Sequence, residues 1–241
     1  MIFRDYDPEK DKDAAHRIWN ETGWLKLDNK SQIEAMDILV GCGRAMVAEI
    51  RGAAECLVIA APATLRHGRE DLPFAIVTGV TTSRVARLGG LASRLTARMV
   101  ARLALDGAVA CGLGIFDQGY YDRLGFGSEP YHVYRDFDPA HLTVERLSRS
   151  PERFGLEDWQ ALHEARLRRL RGHGAVNALP PEATRADMLW SEHGFGLGWR
   201  DGEGGAISHC LWCEAPDNAE HGPYRVGWMA FQNYAQFREL M

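Results

Sequence analysis

At 241 residues the chain exceeds the usual single domain of about 100–150 residues, so two domains, each able to bury a core, are expected. A net charge of -5 and an isoelectric point near 6.0 leave no basic footprint for nucleic acid. No run approaches the ~18 apolar residues that cross a bilayer, and the start, Met1-Ile2-Phe3-Arg4-Asp5, lacks the basic and apolar regions of a signal peptide, so the residues read as a soluble cytoplasmic protein without a membrane partner.

Taken in chain order, residues 2–6 alternate like a short strand, and residues 11–19, with Ala14, Ala15, Ile18 and Trp19 apolar, follow as a helix. A second helix is expected around residues 33–40, ended by Gly41 and Gly43. Residues 44–50 and 56–62 read as two strands joined at Arg51-Gly52-Ala53, and residues 65–72 as a polar loop. Residues 74–82 are rich in β-branched and aromatic side chains, whereas Leu91, Leu95, Met99 and Leu103 recur at helical spacing. The period therefore changes from strand to helix across a turn that holds Gly89 and Gly90. The first turn of such a helix leaves amides without partners, and with the positive end of the helix dipole they attract phosphate oxygens. Glycines there let an anion approach the backbone closely. Arg94, Arg98 and Arg102 fall opposite the leucines and read as a solvated face. Residues 108–116 form the next strand, parallel through the helical crossover, residues 118–124 a short helix, and residues 131–137 the last strand of a first domain.

Charge and proline interrupt the pattern near residues 144–151, which divides the chain into domains of 1–148 and 149–241. Residues 156–170 then read as an amphipathic helix and residues 195–200, 205–212 and 224–231 as three strands, with Gly202-Glu203-Gly204 as a hairpin turn. Helix, hairpin and third strand repeat the order of the first domain, but Gln232-Asn233-Tyr234-Ala235-Gln236-Phe237 passes straight into a helix without a glycine turn. A sheet that stopped there would have an open edge, so a homo-oligomeric contact or disorder is expected over residues 224–241. Five cysteines, Cys42, Cys56, Cys111, Cys210 and Cys213, are odd in number and scattered, which suits reduced thiols in the cytoplasm. Cys210-x-x-Cys213 lacks a second ligand pair, and no metal site is expected.

Two motifs carry a family resemblance. Arg87-x-x-Gly90-x-Ala92 resembles the pyrophosphate loop of the GNAT acetyltransferase superfamily, which reads Gln or Arg, two residues, Gly, one residue, then Gly or Ala. Tyr121-Asp122-Arg123-Leu124-Gly125-Phe126 is similar to the Tyr-x-x-x-Gly-Phe segment after that superfamily's fifth strand. The resemblance implies an α/β GNAT fold, a mixed twisted sheet with helices on both faces, in which the strands at 74–82 and 108–116 splay to admit a pantetheine arm. It implies acetyl-CoA as co-substrate, with main-chain groups of Val80, Thr81 and Thr82 beside the pantetheine and amides of Leu88, Gly89, Gly90, Leu91, Ala92 and Ser93 on the pyrophosphate. Arg87 would add charge, Phe116 and Asp117 would extend the site, and Tyr121 would protonate the departing sulfur.

The same resemblance makes the acceptor a primary amine of a small molecule or peptide, approached from the region of Glu21, Asp28, Glu34 and Asp37, with Glu21 and Asp28 as candidates to bind it. An amine is mostly protonated at neutral pH and needs a base. No residue declares itself; His16 is a candidate, but it has no partner at catalytic spacing in the sequence. The two-part order resembles the enhanced-intracellular-survival (Eis-type) acetyltransferases, built from an active GNAT domain, a second degenerate GNAT-like domain and a sterol-carrier-protein-like domain. This chain resembles the first two, its second domain apparently truncated. In those relatives a carboxylate at the end of the third domain reaches the active site, so either the chain is a fragment or its chemistry differs. With Arg84 where relatives often have proline, the rival reading is a non-catalytic acyl-CoA-binding or regulatory module. A dinucleotide fold would need Gly-x-Gly-x-x-Gly after the first strand, which Gly41-Cys42-Gly43 does not supply.

Overall fold

The computed structural model describes residues 1–115, 119–128, 136–138, 141–143, 149–215 and 222–241. In chain order the elements begin with β1 (Ile2–Asp5), α1 (Pro8–Glu21), α2 (Lys30–Gly41), β2 (Arg44–Ile50), β3 (Ala53–His67), β4 (Glu70–Thr82), α3 (Leu91–Leu105) and β5 (Ala110–Gly112). They continue with β6 (Asp136–Phe137), β7 (Glu152–Phe154), α4 (Trp159–Arg168), β8 (Val176–Ala178), α5 (Pro181–Trp190), β9 (Phe195–Arg200), β10 (Ile207–Glu214), β11 (Tyr224–Ala230) and α6 (Tyr234–Leu240). Two compact units emerge, Met1–Pro130 with His173–Ala183, and Tyr131–Gly172 with Thr184–Met241.

The sheet of the first unit has the order β1-β2-β3-β4-β5, with β8 paired to β3. All its pairs are antiparallel except β4 with β5. Local chemistry sets the helix starts: the Asp7 side chain accepts the Glu9 amide with Pro8 at the first turn of α1, and the Asn29 side chain accepts the Gln32 amide at the start of α2. The leucine and methionine stripe of α3 packs on Cys56, Val58 and Ala60 of β3 and Ala75 and Val77 of β4. Trp19 of α1 instead lies over Ile59 and Gly79. Because alternate residues of a strand face opposite ways, α1 and α3 cover opposite faces of the sheet.

One tie fixes α1 to the edge of this sheet. Two Arg4 nitrogens bond the two oxygens of Asp11 at 2.6 and 2.8 Å, and the Asp7 amide donates to Asp11 at 2.9 Å. Burial would raise the Asp11 carboxyl, but these donors outweigh it and hold it below the usual carboxylate range. A group whose folded pKa is depressed adds stability above its unfolded pKa and loses it as pH falls through the folded one. Asp11→Ala should therefore cost about 2 kcal/mol at neutral pH, the scale of lost charged hydrogen bonds, and the difference from wild type should shrink in acid. Chemical denaturation at pH 7 and pH 3 checks it, and an equal difference at both would contradict it.

Residues 65–72, expected as a loop, are the tip of the β3–β4 hairpin. His67 pairs Glu70, Arg66 pairs Asp71, and only Gly68 and Arg69 turn. The second unit has the order β6-β11-β10-β9-β7, antiparallel throughout, over a core that includes Phe154, Leu162, Met188, Ile207 and Trp212. The strand expected over 131–137 to finish the first domain is described only as β6, which pairs with Tyr224 and Arg225 of β11; residues 131–135 lie outside the described residues. The seam of the two units thus differs from the division at 148. It also means that β11 is flanked by β10 and, at its start, by β6, so an open edge over 224–241 is narrower than its sequence suggests. Among the described residues no helix is long and apolar enough to cross a membrane.

Candidate active site

Strand β4 pairs with β3 along most of its length but meets β5 only from Phe74 to Ile76, opposite Ala110 to Gly112. Beyond that point, among the described residues, residues 77–82 carry no ladder partner on the β5 side. Among the described residues their amides and carbonyls on that side form an open edge, at which an extended polar chain can pair as a strand would. A bulge shapes this stretch of β4: Leu57 pairs Thr81 and Ile59 pairs Thr78, so Gly79 and Val80 together oppose Val58. Gly79 has φ +60°, and a Cβ there would sit 2.7 Å from Ile59 Cδ1 and 3.0 Å from Trp19 Cζ2. Only glycine fits both the angle and the space. The sequence reading missed it, although a glycine inside a β-branched run is a bulge signal.

At Thr82 the chain leaves the sheet. A 3₁₀ turn, Arg84–Ala86, leads into Arg87, Leu88 and Gly89, all exposed, and then into α3. Leu88 has φ +65° and Gly90 +66°, and no side chain caps the helix at Gly90. The first-turn amides of α3 therefore point outward with no intrahelical partner, at the positive end of its dipole. Arg84 and Arg87 add exposed positive charge beside them. Arg94 and Arg98, expected as a merely solvated face, lie over the Phe3 ring at 4.9 and 4.7 Å.

The two tyrosines of the second motif part ways. Tyr120 Oη bonds Ser93 Oγ at 3.0 Å, tying that loop to the first turn of α3. Tyr121 is half-buried, with ring centroids 4.8 Å from Tyr120 and 5.8 Å from Phe126, and its hydroxyl makes no hydrogen bond among the described residues. The helix expected over 118–124 is a 3₁₀ turn, Asp122–Leu124, closed by Gly125 at φ +89°. Burial, then the neighbouring Tyr120 and Cys56, push the Tyr121 phenol above its ordinary pKa, so it keeps its proton at neutral pH. Cys56 is fully buried, accepts the Thr82 hydroxyl at 3.3 Å and is pushed up to about 11 by desolvation. A thiol so far from its thiolate is a poor nucleophile, which disfavours an acyl-cysteine route.

The remaining expected residues scatter. Phe116 and Asp117 lie outside the described residues. Asp28 is exposed in the turn between α1 and α2. Glu21 turns to the loop, its Oε2 accepting the Arg84 amide at 2.7 Å and its Oε1 an Arg17 nitrogen at 3.1 Å. His16 does have a partner, since its Nε2 lies 2.7 Å from Asp37 Oδ1, a pairing across helices that the sequence hid. Cys210 and Cys213 are buried in β10 with thiols pushed up to about 12 and about 11 by desolvation, so both stay protonated. A cavity of about 700 Å³ opens elsewhere, lined among others by Phe74, Ala75, Leu103 and Asp106. It lies at the far end of α3, about 20 Å along the helix from Gly90. It adjoins neither the open helix start nor the stretch of β4 that is unpaired among the described residues.

The family model described as an acetyltransferase (GNAT) domain matches residues 4–128, just over half of the chain. No curated protein matches. A conserved protein of unknown function from Enterococcus faecalis V583, described as a probable N-acyltransferase, shares 14% identity at a TM-score of 0.74, over 98% of this chain and 60% of that one. Eis1 from Mycobacterium abscessus shares 16% at 0.69, over 100% of this chain and 61% of its own. A GCN5-related N-acetyltransferase from Anabaena variabilis shares 13% at 0.70, over 98% and 61%. At these identities the fold is what is shared, and the chain spans about three fifths of the length of these structures.

Proposed function

Because the chain belongs to the GNAT acetyltransferase domain family, we propose that it is an N-acetyltransferase that moves an acetyl group from acetyl-CoA to a primary amine of a small molecule or peptide. One observation carries this reading: the uncapped helix start at Gly90 follows, through one short loop, a strand whose last residues have no ladder partner on one side among the described residues. In this reading Val80, Thr81 and Thr82 pair with the pantetheine, and the amides of residues 88–93 hold the pyrophosphate, with Arg87 beside them. As in the family resemblance, Phe116 and Asp117 extend the site. A neutral amine attacks the thioester carbonyl, and main-chain donors of residues 80–82 stabilise the oxyanion that forms, since aligned donors act where charge develops. The C–S bond then breaks, and the sulfur takes its proton from Tyr121. Asp28 remains a candidate to meet the amine, and the His16–Asp37 pair, with imidazole and carboxylate 2.7 Å apart, is a candidate base on the acceptor side.

We read the second unit as a degenerate copy, as in the Eis-type arrangement. Its α6 is capped by the Asn233 side chain on the Gln236 amide, so a donor that α3 leaves open is already taken there. Five free thiols fit a cytoplasmic setting, and a homo-oligomer fits the edge of β11 beyond Arg225, which has no strand partner on the β6 side among the described residues. The test is to mix the protein with acetyl-CoA and a panel of polyamines and aminoglycosides, following thiol release and acetylated amine together. Both should appear in equal amounts and only when an amine is present. Saturable binding of acetyl-CoA without turnover on any amine would favour the binding-module reading instead.

A further inference from the structure

We infer that Glu21, clamped by Arg17, is a positioning residue that latches the entrance of the pyrophosphate loop through the Arg84 amide. The inference rests on the reading of that loop as the acyl-CoA site.

The backbone leaves the sheet at Thr82, and two successive amides decide where it goes. The Ser83 amide donates to the Glu55 carbonyl at 2.9 Å, one last step of the β3–β4 ladder. The Arg84 amide has no strand left to pair with, and its acceptor is the Glu21 carboxylate at 2.7 Å, supplied from the last turn of α1. Position 84 has an N–H to offer because it is arginine; a proline there would have none. Beyond this point the Ala86 amide turns back to the Ser83 carbonyl at 3.1 Å and Ala86 is buried in the core under α3, after which Arg87 to Gly90 are exposed and twice enter the left-handed region. Between the Ser83 and Ala86 anchors, the Glu21 carboxylate is the side chain that reaches the near end of the loop from α1.

That carboxylate is itself held. Arg17 donates to Glu21 Oε1 at 3.1 Å, to Glu55 Oε2 at 3.3 Å and to the Ala54 carbonyl at 3.1 Å, joining α1, β3 and the loop. A free carboxylate beside a pyrophosphate site would repel the ligand. Here its charge is shared with a guanidinium and spent on an amide, so Glu21 shapes the site without being aimed at the anion. The Arg84 amide bond also holds the Glu21 carboxyl below its ordinary range, which keeps it an acceptor throughout neutral pH.

The test compares Glu21→Ala, Glu21→Gln and Arg84→Pro with wild type. The readouts are hydrogen exchange of the residue 84 amide, acetyl-CoA affinity by calorimetry, and steady-state kinetics with an accepted amine. Glu21→Ala should speed exchange at residue 84 and weaken acetyl-CoA about tenfold, the scale of one lost charged hydrogen bond, as a rise in KM for acetyl-CoA with kcat nearly unchanged. Glu21→Gln keeps an acceptor oxygen and should recover most of the affinity. In the Arg84→Pro background, where the donor is gone, Glu21→Ala should add little. Wild-type acetyl-CoA affinity in Glu21→Ala, with KM rising for the amine instead, would overturn the inference and return Glu21 to the acceptor. An equal loss with and without proline at 84 would overturn it as well. If wild type itself bound no acetyl-CoA, the reading of the loop would fail, whereas exchange at residue 84 would still report whether the latch exists.

Discussion

Tyr121→Phe should lower turnover about a hundredfold or more, the usual scale for a lost general acid, while acetyl-CoA affinity stays nearly unchanged. The substitution keeps the ring, so its edge contacts with Tyr120 and Phe126 survive and only the hydroxyl is lost. That hydroxyl makes no hydrogen bond among the described residues, so no internal bond is broken to confuse the result. In water a phenol near 10 gives its proton to a thiolate near 8.5 only slightly uphill. Burial lifts the Tyr121 phenol further, and desolvation would likewise lift a thiol released beside it, so both shifts run in the same direction. The raised phenol also sets a sign: the acid form is present below its folded pKa, so turnover should not fall through loss of this proton until pH exceeds the ordinary tyrosine value. Tyr120 is the control. Tyr120→Phe removes its bond to Ser93 Oγ, about 1 kcal/mol, and should cost no more than about fivefold. Full activity in Tyr121→Phe, or an equal loss in Tyr120→Phe, would remove Tyr121 from the chemistry.

The strand, turn and helix that hold the candidate site could be read from sequence because they are local. The change of period between residues 74–82 and the leucines of α3 marks a strand, a turn and a helix, and Gly90 does sit at the turn in the left-handed region. What could not be read depends on partners far along the chain. The carboxylate of Glu21 meets an amide 63 positions away, and His16 meets Asp37 across two helices, so neither pairing leaves a spacing signature. Composition misled at the hairpin tip, where Arg66, His67, Glu70 and Asp71 look like a loop yet pair across two strands whose side chains there meet solvent. It misled again at β5, expected over 108–116 and described as strand only at Ala110–Gly112, since ladder pairing ends where β4 and β5 part. Short pieces such as β7, β8 and α5 passed unread because a three-residue strand, or a helix with a weak stripe, carries too little periodicity.

The melting temperatures of wild type, Gly90→Ala and Gly90→Glu, each with and without acetyl-CoA, test the central claim most directly, because they ask whether this loop holds the pyrophosphate. Gly90 has φ +66°, and no atom lies within 4 Å of a Cβ built there. Both side chains therefore carry the same backbone strain, about 1 kcal/mol, without a clash, and differ in charge and reach. Acetyl-CoA at 100 times its dissociation constant should stabilise wild type by about 2.7 kcal/mol, raising its melting temperature by roughly 5–10 °C. Gly90→Ala should melt lower without ligand yet keep most of that rise. Gly90→Glu brings a carboxylate against the phosphates at the open helix start, and its rise should vanish. A rise in Gly90→Glu equal to that of wild type would contradict the account, for the pyrophosphate would then be bound somewhere else.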